Sequence, residues 1–223
     1  MNPEIQTIVI LDWDDTLLPS SYLIQLGYIS KQGDIYYDST TNTEISNQFT
    51  ELEKLIIKFI QSISHFSSFY IVTNAQQGWV QLSMKIFFPN LSLLIPDCQI
   101  ISAREIYKTS NTSIDPIINL NYLLMWKLSA FKVIISQFAH SNSQIQIISY
   151  GDNETDCQAA QLCISETNIT KIKSIQFHPL SNIEQLIDQI SLIYKSFNNI
   201  YSQNQSINLK LNIESKNGKI IIT

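Results

Sequence analysis

The chain has 223 residues, enough for one sizeable core and short for two independent domains. Apolar residues make up 44% and charged residues 15%, a balance that excludes a disordered chain. The net charge of −5 and the absence of any Lys/Arg run exclude a surface that tracks a phosphate backbone, so nucleic acid is not an expected partner.

The first predicted element is the apolar run Ile8-Val9-Ile10-Leu11, which suits a strand buried on both faces of a parallel sheet. It ends in Asp12, Asp14 and Asp15 around Trp13, with Thr16 following. In open α/β sheets ligands bind outside the carboxyl ends of the strands, so Asp12 and Asp14 are expected in a crevice. Carboxylates this close repel one another unless a cation joins them, and oxygen ligands favour a hard ion such as Mg²⁺. A solvated acidic loop is the plainer alternative.

Next comes a polar passage to about Asn47. In it Tyr28-Ile29-Ser30 and Asp34-Ile35-Tyr36-Tyr37 flank Lys31-Gln32-Gly33 as a small hairpin. Phe49, Leu52, Leu55, Ile56, Phe59, Ile60 and Ile63 have helical spacing. A second strand, Phe69 to Val72, leads into Thr73-Asn74, and a helix follows from Trp79 to near Pro89. Cys98 to Ser102 reads as a third strand, and 103–116 as a polar segment.

Asn121 to Phe138 has the pattern of an apolar helix carrying Lys127 and Lys132. Gln144 to Ser149 is a fourth strand, and the loop Gly151 to Asp156 opens a helix through Cys163. Lys173 to Phe177 gives a fifth strand and Asn182 to Tyr201 another helix. The tail alternates at Ile207, Leu209, Leu211 and Ile213, and Asn217-Gly218 precedes Lys219 to Ile222, the pattern of a β-hairpin.

Asp12-x-Asp14-x-Thr16 after an apolar strand resembles the first motif of the haloacid dehalogenase superfamily. Three further stretches resemble the later motifs in order: Phe69 to Asn74, Trp126 to Phe131 with Lys127, and Ile147 to Asp156 with Gly151-Asp152. The resemblance covers about residues 5 to 180 and lacks room for either of the family's inserted caps. It implies a three-layer, Rossmann-like α/β domain over residues 1–204, with a mostly parallel sheet and a short flap. Residues 205–223 then form a C-terminal β-hairpin extension.

The resemblance also implies roles. Asp12 is the nucleophile and Asp14 the general acid and base; Thr73 binds the phosphoryl group, with Asn74 beside it. Lys127 supplies positive charge, and Lys132 is second choice for that role. Mg²⁺ is held by Asp12, Asp14 through its backbone carbonyl, Asp152 and Asp156. Trp13 and Thr16 complete the residues given a substrate role, although Trp13, between the two acids, is read first as a core residue. Helix capping is the ordinary alternative for Asp152 and Asp156.

The activity implied is a Mg²⁺-dependent phosphatase acting on a phosphate monoester through an aspartyl-phosphate, on a phosphoprotein or a small molecule. Two alternatives stand beside it: a silent binding or scaffold protein, and a small-molecule phosphatase closed by oligomerisation. The terminal hairpin offers an edge through which an oligomer can form. Cys98, Cys157 and Cys163 are odd in number and lack metal spacing, so buried free thiols in a reducing, cytoplasmic setting are expected. Neither a signal peptide nor a membrane span is expected.

Overall fold

A computed structural model describes residues 5–110, 122–138, 144–165, 168–213 and 220–222. Its strands are β1 (Ile5–Leu11), β2 (Ser68–Thr73), β3 (Ile100–Ser102), β4 (Gln144–Gly151), β5 (Ile169–Gln176), β6 (Ile207–Ile213) and β7 (Ile220–Ile222). They form one sheet in the order β3-β2-β1-β4-β5-β6-β7. All neighbours pair in parallel except β7, which runs antiparallel to β6. The chain builds outward from β1 to β3, then returns to place β4 on the other flank of β1. That reversal sits between β1 and β4, where such sheets open a crevice.

The helices are α1 (Ser20–Gln25), α2 (Thr43–Ser64), α3 (Trp79–Phe87), α4 (Ala103–Ser110), α5 (Tyr122–Ser136), α6 (Glu154–Leu162) and α7 (Ile183–Ser202). Side chains alternate across a strand, and β1 shows how this sorts the layers. Val9 and Leu11 join a core with residues of α2, α3 and α7. Ile8 and Ile10 join the opposite core with residues of α4, α5 and α6. The fold is therefore α/β in three layers, with helices on both faces of the sheet, as the apolar runs lead one to expect.

Several boundaries differ from the sequence reading. The helix expected from Phe49 begins at Thr43, because the Asn42 side chain accepts a hydrogen bond from the Ile45 N–H and caps it. The strand expected from Cys98 begins at Ile100, since Asp97–Gln99 close a 3₁₀ turn and leave Cys98 exposed; Cys157 and Cys163 are buried as expected. The segment expected to be polar loop from Ala103 contains α4 as far as Ser110, and the rest of it lies outside the described residues. The fifth strand starts at Ile169.

Residues of the tail do more than add a separate hairpin. β6 is the sixth parallel strand of the main sheet, and its Leu211 is buried in the α2–α7 core. The Asn217-Gly218 turn lies outside the described residues. The expected flap hairpin is small: Ile29 and Ile35 form one antiparallel bridge, and Tyr37 packs on Phe49 and Phe87. Among the described residues, no helix is long and apolar enough to cross a membrane.

Candidate active site

The alternation that sorts the two cores also sorts the acids. Trp13 follows the Val9 and Leu11 side: it is fully buried, stacks edge-on to Phe88 and donates from Nε1 to Ser83 Oγ at 3.0 Å. Such a side chain is a core anchor, and the sequence-assigned substrate role finds no surface there. Asp12 lies at the end of β1, where its N–H donates to the Tyr150 carbonyl at 2.9 Å. It meets α5, from the opposite layer, through Lys127.

Lys127 is 1% exposed and bridges two carboxylates. Its Nζ lies 2.6 Å from Asp12 Oδ1 and 2.7 Å from Asp156 Oδ1, and donates to the Val72 carbonyl at 2.7 Å. Burial alone would push this ammonium down, but Asp12 and Asp156 outweigh that and hold it above the ordinary lysine range. Lys132 is on the exposed side of the same helix. Of the two lysines, Lys127 is the one that contacts these carboxylates.

Asp12, Asp152 and Asp156 bring one carboxylate oxygen each within 4.8 Å of one another, a spacing that can hold a metal ion. Asp152 follows β4 directly, and Asp156 sits in the first turn of α6, which Asn153 caps by accepting from the Thr155 N–H. Gly151 makes the approach: a Cβ there would fall 2.4 Å from Asp156 Oδ2 and 2.6 Å from its Cβ, closer than real contacts allow. Burial raises the Asp12 carboxyl well above its usual range, with Lys127 opposing and the two other acids adding to the rise. Asp152 is pushed up to about 7 by burial, with Asp156 and Asp15 adding to it.

One atom stands out in this cluster. Asp156 Oδ2 is buried without a hydrogen-bond partner. One ammonium cannot balance three carboxyl groups in their ionised form, and a buried oxygen with no donor is costly. A divalent cation answers both. The carboxylate set thus fits a hard cation such as Mg²⁺ on its chemistry.

Comparison with protein-family models, curated proteins and solved structures gives no match to this chain.

The Asp14 carboxylate stands apart from the trio and is held by three side-chain donors. Ser20 Oγ donates to Oδ1 at 2.5 Å, Trp79 Nε1 to Oδ1 at 2.9 Å, and Thr73 Oγ1 to Oδ2 at 3.2 Å. Thr73 Oγ1 in turn accepts from the Ala75 N–H at 2.9 Å, which fixes the loop after β2. Asp15 has a left-handed backbone, φ 53°, a conformation Asp tolerates better than most residues. Its carboxylate accepts from the Ser21 N–H and hydroxyl, so it anchors the start of α1.

A cavity of about 180 Å³ lies over these groups, lined by Asp12, Asp14, Thr73, Asn74, Asp152 and Asp156 among others. Asn74 Oδ1 is buried without a partner at its wall. Thr16 is buried and does not line this cavity; its Oγ1 has no partner. Beyond Asp14 opens a wider groove of about 690 Å³, between the flap at Ile29 to Gly33 and the start of α3. Asp14 is the one described residue that lines both spaces.

Sequence reasoning missed Ser20 and Trp79 as partners of Asp14. Ser20 was within reach, since it closes the motif stretch. The Trp79 contact spans 65 residues and leaves no periodic trace.

Proposed function

We propose that this chain is a phosphomonoester phosphatase of the haloacid dehalogenase type, dependent on Mg²⁺ and working through Asp12. The observation that carries the reading is the ion-paired group Asp12–Lys127–Asp156 with Asp152 beside it and a donor-held Asp14 across one small cavity. Residues from four distant stretches meet there, at the strand ends where ligands bind in such sheets. A scaffold protein has no need of this arrangement.

In the first step an Asp12 carboxylate oxygen forms a bond to phosphorus as the bridging P–O bond breaks. Asp14, carrying a proton, gives it to the departing oxygen, so an alcohol leaves and an aspartyl-phosphate remains. In the second step water adds to phosphorus, its proton passes to Asp14, and the bond to Asp12 breaks. Inorganic phosphate is released and both acids return to their starting states. Lys127 orients Asp12 and balances its charge throughout. Thr73 and Asn74 offer polar groups at the wall where the phosphoryl oxygens would lie.

Asp12, Asp152 and Asp156 would hold the Mg²⁺, with the Asp14 carbonyl as the further ligand the resemblance implies. When bound, the cation would screen the anionic nucleophile from the anionic substrate. The groove beside Asp14 gives room for a bulky leaving group, which favours a phosphoprotein over a small ester. The compartment read from the cysteines is a reducing one, the cytoplasm. The test is hydrolysis of an aryl phosphate with Mg²⁺ by the native chain and by Asp12→Asn. Turnover by the native chain alone is the expected result; equal rates, or none in either, contradict it.

A further inference from the structure

The general acid of a phosphatase must be held so that one oxygen meets the leaving oxygen, and the structure shows unequal treatment of the two Asp14 oxygens. Oδ1 accepts from both Ser20 Oγ and Trp79 Nε1, whereas Oδ2 has only the longer contact with Thr73 Oγ1. An indole N–H donates and cannot accept. The oxygen it faces is therefore committed as an acceptor, and Oδ2 is left as the one for proton exchange. Thr73 lines the small cavity, and Trp79 lines the groove with Ile24, Ile29 and Leu82. Trp79 thus touches both the acid and the space on its far side.

Resting on the phosphatase reading above, we propose that Trp79 is a positioning residue that turns Asp14 Oδ2 toward the leaving oxygen. It thereby adapts the enzyme to esters of poorly acidic alcohols, whose organic part lies in the groove against the indole. Such alcohols leave as alkoxides unless protonated while the P–O bond breaks, so their cleavage depends on a well-placed acid. Phenols with electron-withdrawing groups leave as stable anions and depend on it little. Selectivity for alkyl esters therefore follows from a hydrogen bond to the acid, separately from any contact with the substrate.

The experiment measures kcat/KM, which reads only as far as departure of the alcohol and leaves out hydrolysis of the shared aspartyl-phosphate, with p-nitrophenyl phosphate and with an alkyl phosphate, such as 2-phenylethyl phosphate, for the native chain and Trp79→Phe. The hydrogen bond goes and an aromatic ring remains. The expected result is a fall in kcat/KM at least about tenfold greater for the alkyl ester, within the range general acids contribute. An equal fall for both esters, or no fall, overturns the proposal, because a purely structural role or a loss of packing moves the two together. If Trp79→Phe does not fold, site-specific 3-benzothienylalanine at position 79 keeps the bicyclic shape without the N–H and is judged by the same ratio. Hydrolysis of neither ester by the native chain sinks the phosphatase reading, and the role of Trp79 with it. That outcome is distinct from native turnover with an unchanged ratio, which removes Trp79 alone.

Discussion

Two buried carboxylates differ in how fully the fold satisfies them. Glu53, on α2, is 4% exposed, and three donors use its oxygens: the Asn90 N–H at 2.6 Å, Asn90 Nδ2 at 2.8 Å and the Leu91 N–H at 3.0 Å. It ties the turn after α3 to α2. Asp156 is 2% exposed, yet one oxygen pairs with Lys127 and the other has no partner. A fold that satisfies Glu53 so fully is able to satisfy Asp156; leaving it short of a donor makes sense where a cation supplies the balance.

Two buried lysines repeat the contrast. Lys127 faces two carboxylates and is held above its ordinary range. Lys173, on β5, donates instead to the Ile200 and Tyr201 carbonyls at the end of α7. Burial, with Lys171 adding, pushes it down to about 8. Neutral carbonyls at a helix C-terminus welcome a cation but do not offset its desolvation as carboxylates do. One lysine belongs to the site, and the other closes the far end of a helix.

The contrast is broken most forcefully at Lys127. Lys127→Met leaves Asp12 and Asp156 facing each other, and breaking a buried pair this way costs about 3–5 kcal/mol. On the proposed function, hydrolysis of a phosphate ester should fall by at least about 10²–10³, the range for losing one preorganised donor. Denaturant unfolding and steady-state kinetics check the two parts. If excess Mg²⁺ restores much of the lost stability, the cation and the ammonium share one electrostatic role.

Gly151→Ala is next. The new Cβ forces Asp156 aside, and disturbing a group that orients a metal site typically costs about 10–100-fold in affinity. Isothermal titration with Mg²⁺ reads the loss directly. Glu53→Gln turns a fully used acceptor into a group with an NH₂ facing N–H donors, which should destabilise by about 1–3 kcal/mol. Its kcat should match the native value, and a drop in kcat would mean that Glu53 is not purely structural.

Much of this could be read from the chain because the polar groups interrupt long apolar runs. Asp12 and Asp152 each follow, and Thr73 ends, a strand rich in apolar residues, and parallel pairing then puts those strand ends side by side. Lys127 was harder, since its helix is apolar nearly all round and no periodicity says which lysine faces the sheet. α4 was hidden because the Ser, Thr and Asn residues after Lys108 dominate the stretch, while the Glu105–Lys108 pair that supports it is a weaker signal. α1 is six residues long, less than any helical period needs to show itself. Nothing in the sequence singles out Glu53 or the end that Lys173 reaches, because most of their partners are backbone groups with no side-chain signature.

The last prediction concerns Lys173 and pH. Below about 8 the lysine is charged in both folded and unfolded chains. From 8 to its unfolded value of 10.5 the folded chain has given up the proton that the unfolded chain keeps. The unfolded state then binds more protons, so this residue's contribution to stability rises with pH across that window and levels off above it. The unfolding free energy of the native chain minus that of Lys173→Met should therefore increase between pH 7.5 and 10. A flat difference would mean that Lys173 titrates as an ordinary lysine.

The most direct measurement is to catch the covalent intermediate. Borohydride added during turnover of an aryl phosphate with Mg²⁺ reduces an acyl phosphate to the alcohol, and peptide mapping finds where. Conversion of Asp12 to homoserine, dependent on substrate and absent without it, is the predicted result. Turnover with no reduced residue, or with reduction at another acid of the cluster, would contradict Asp12 as the nucleophile.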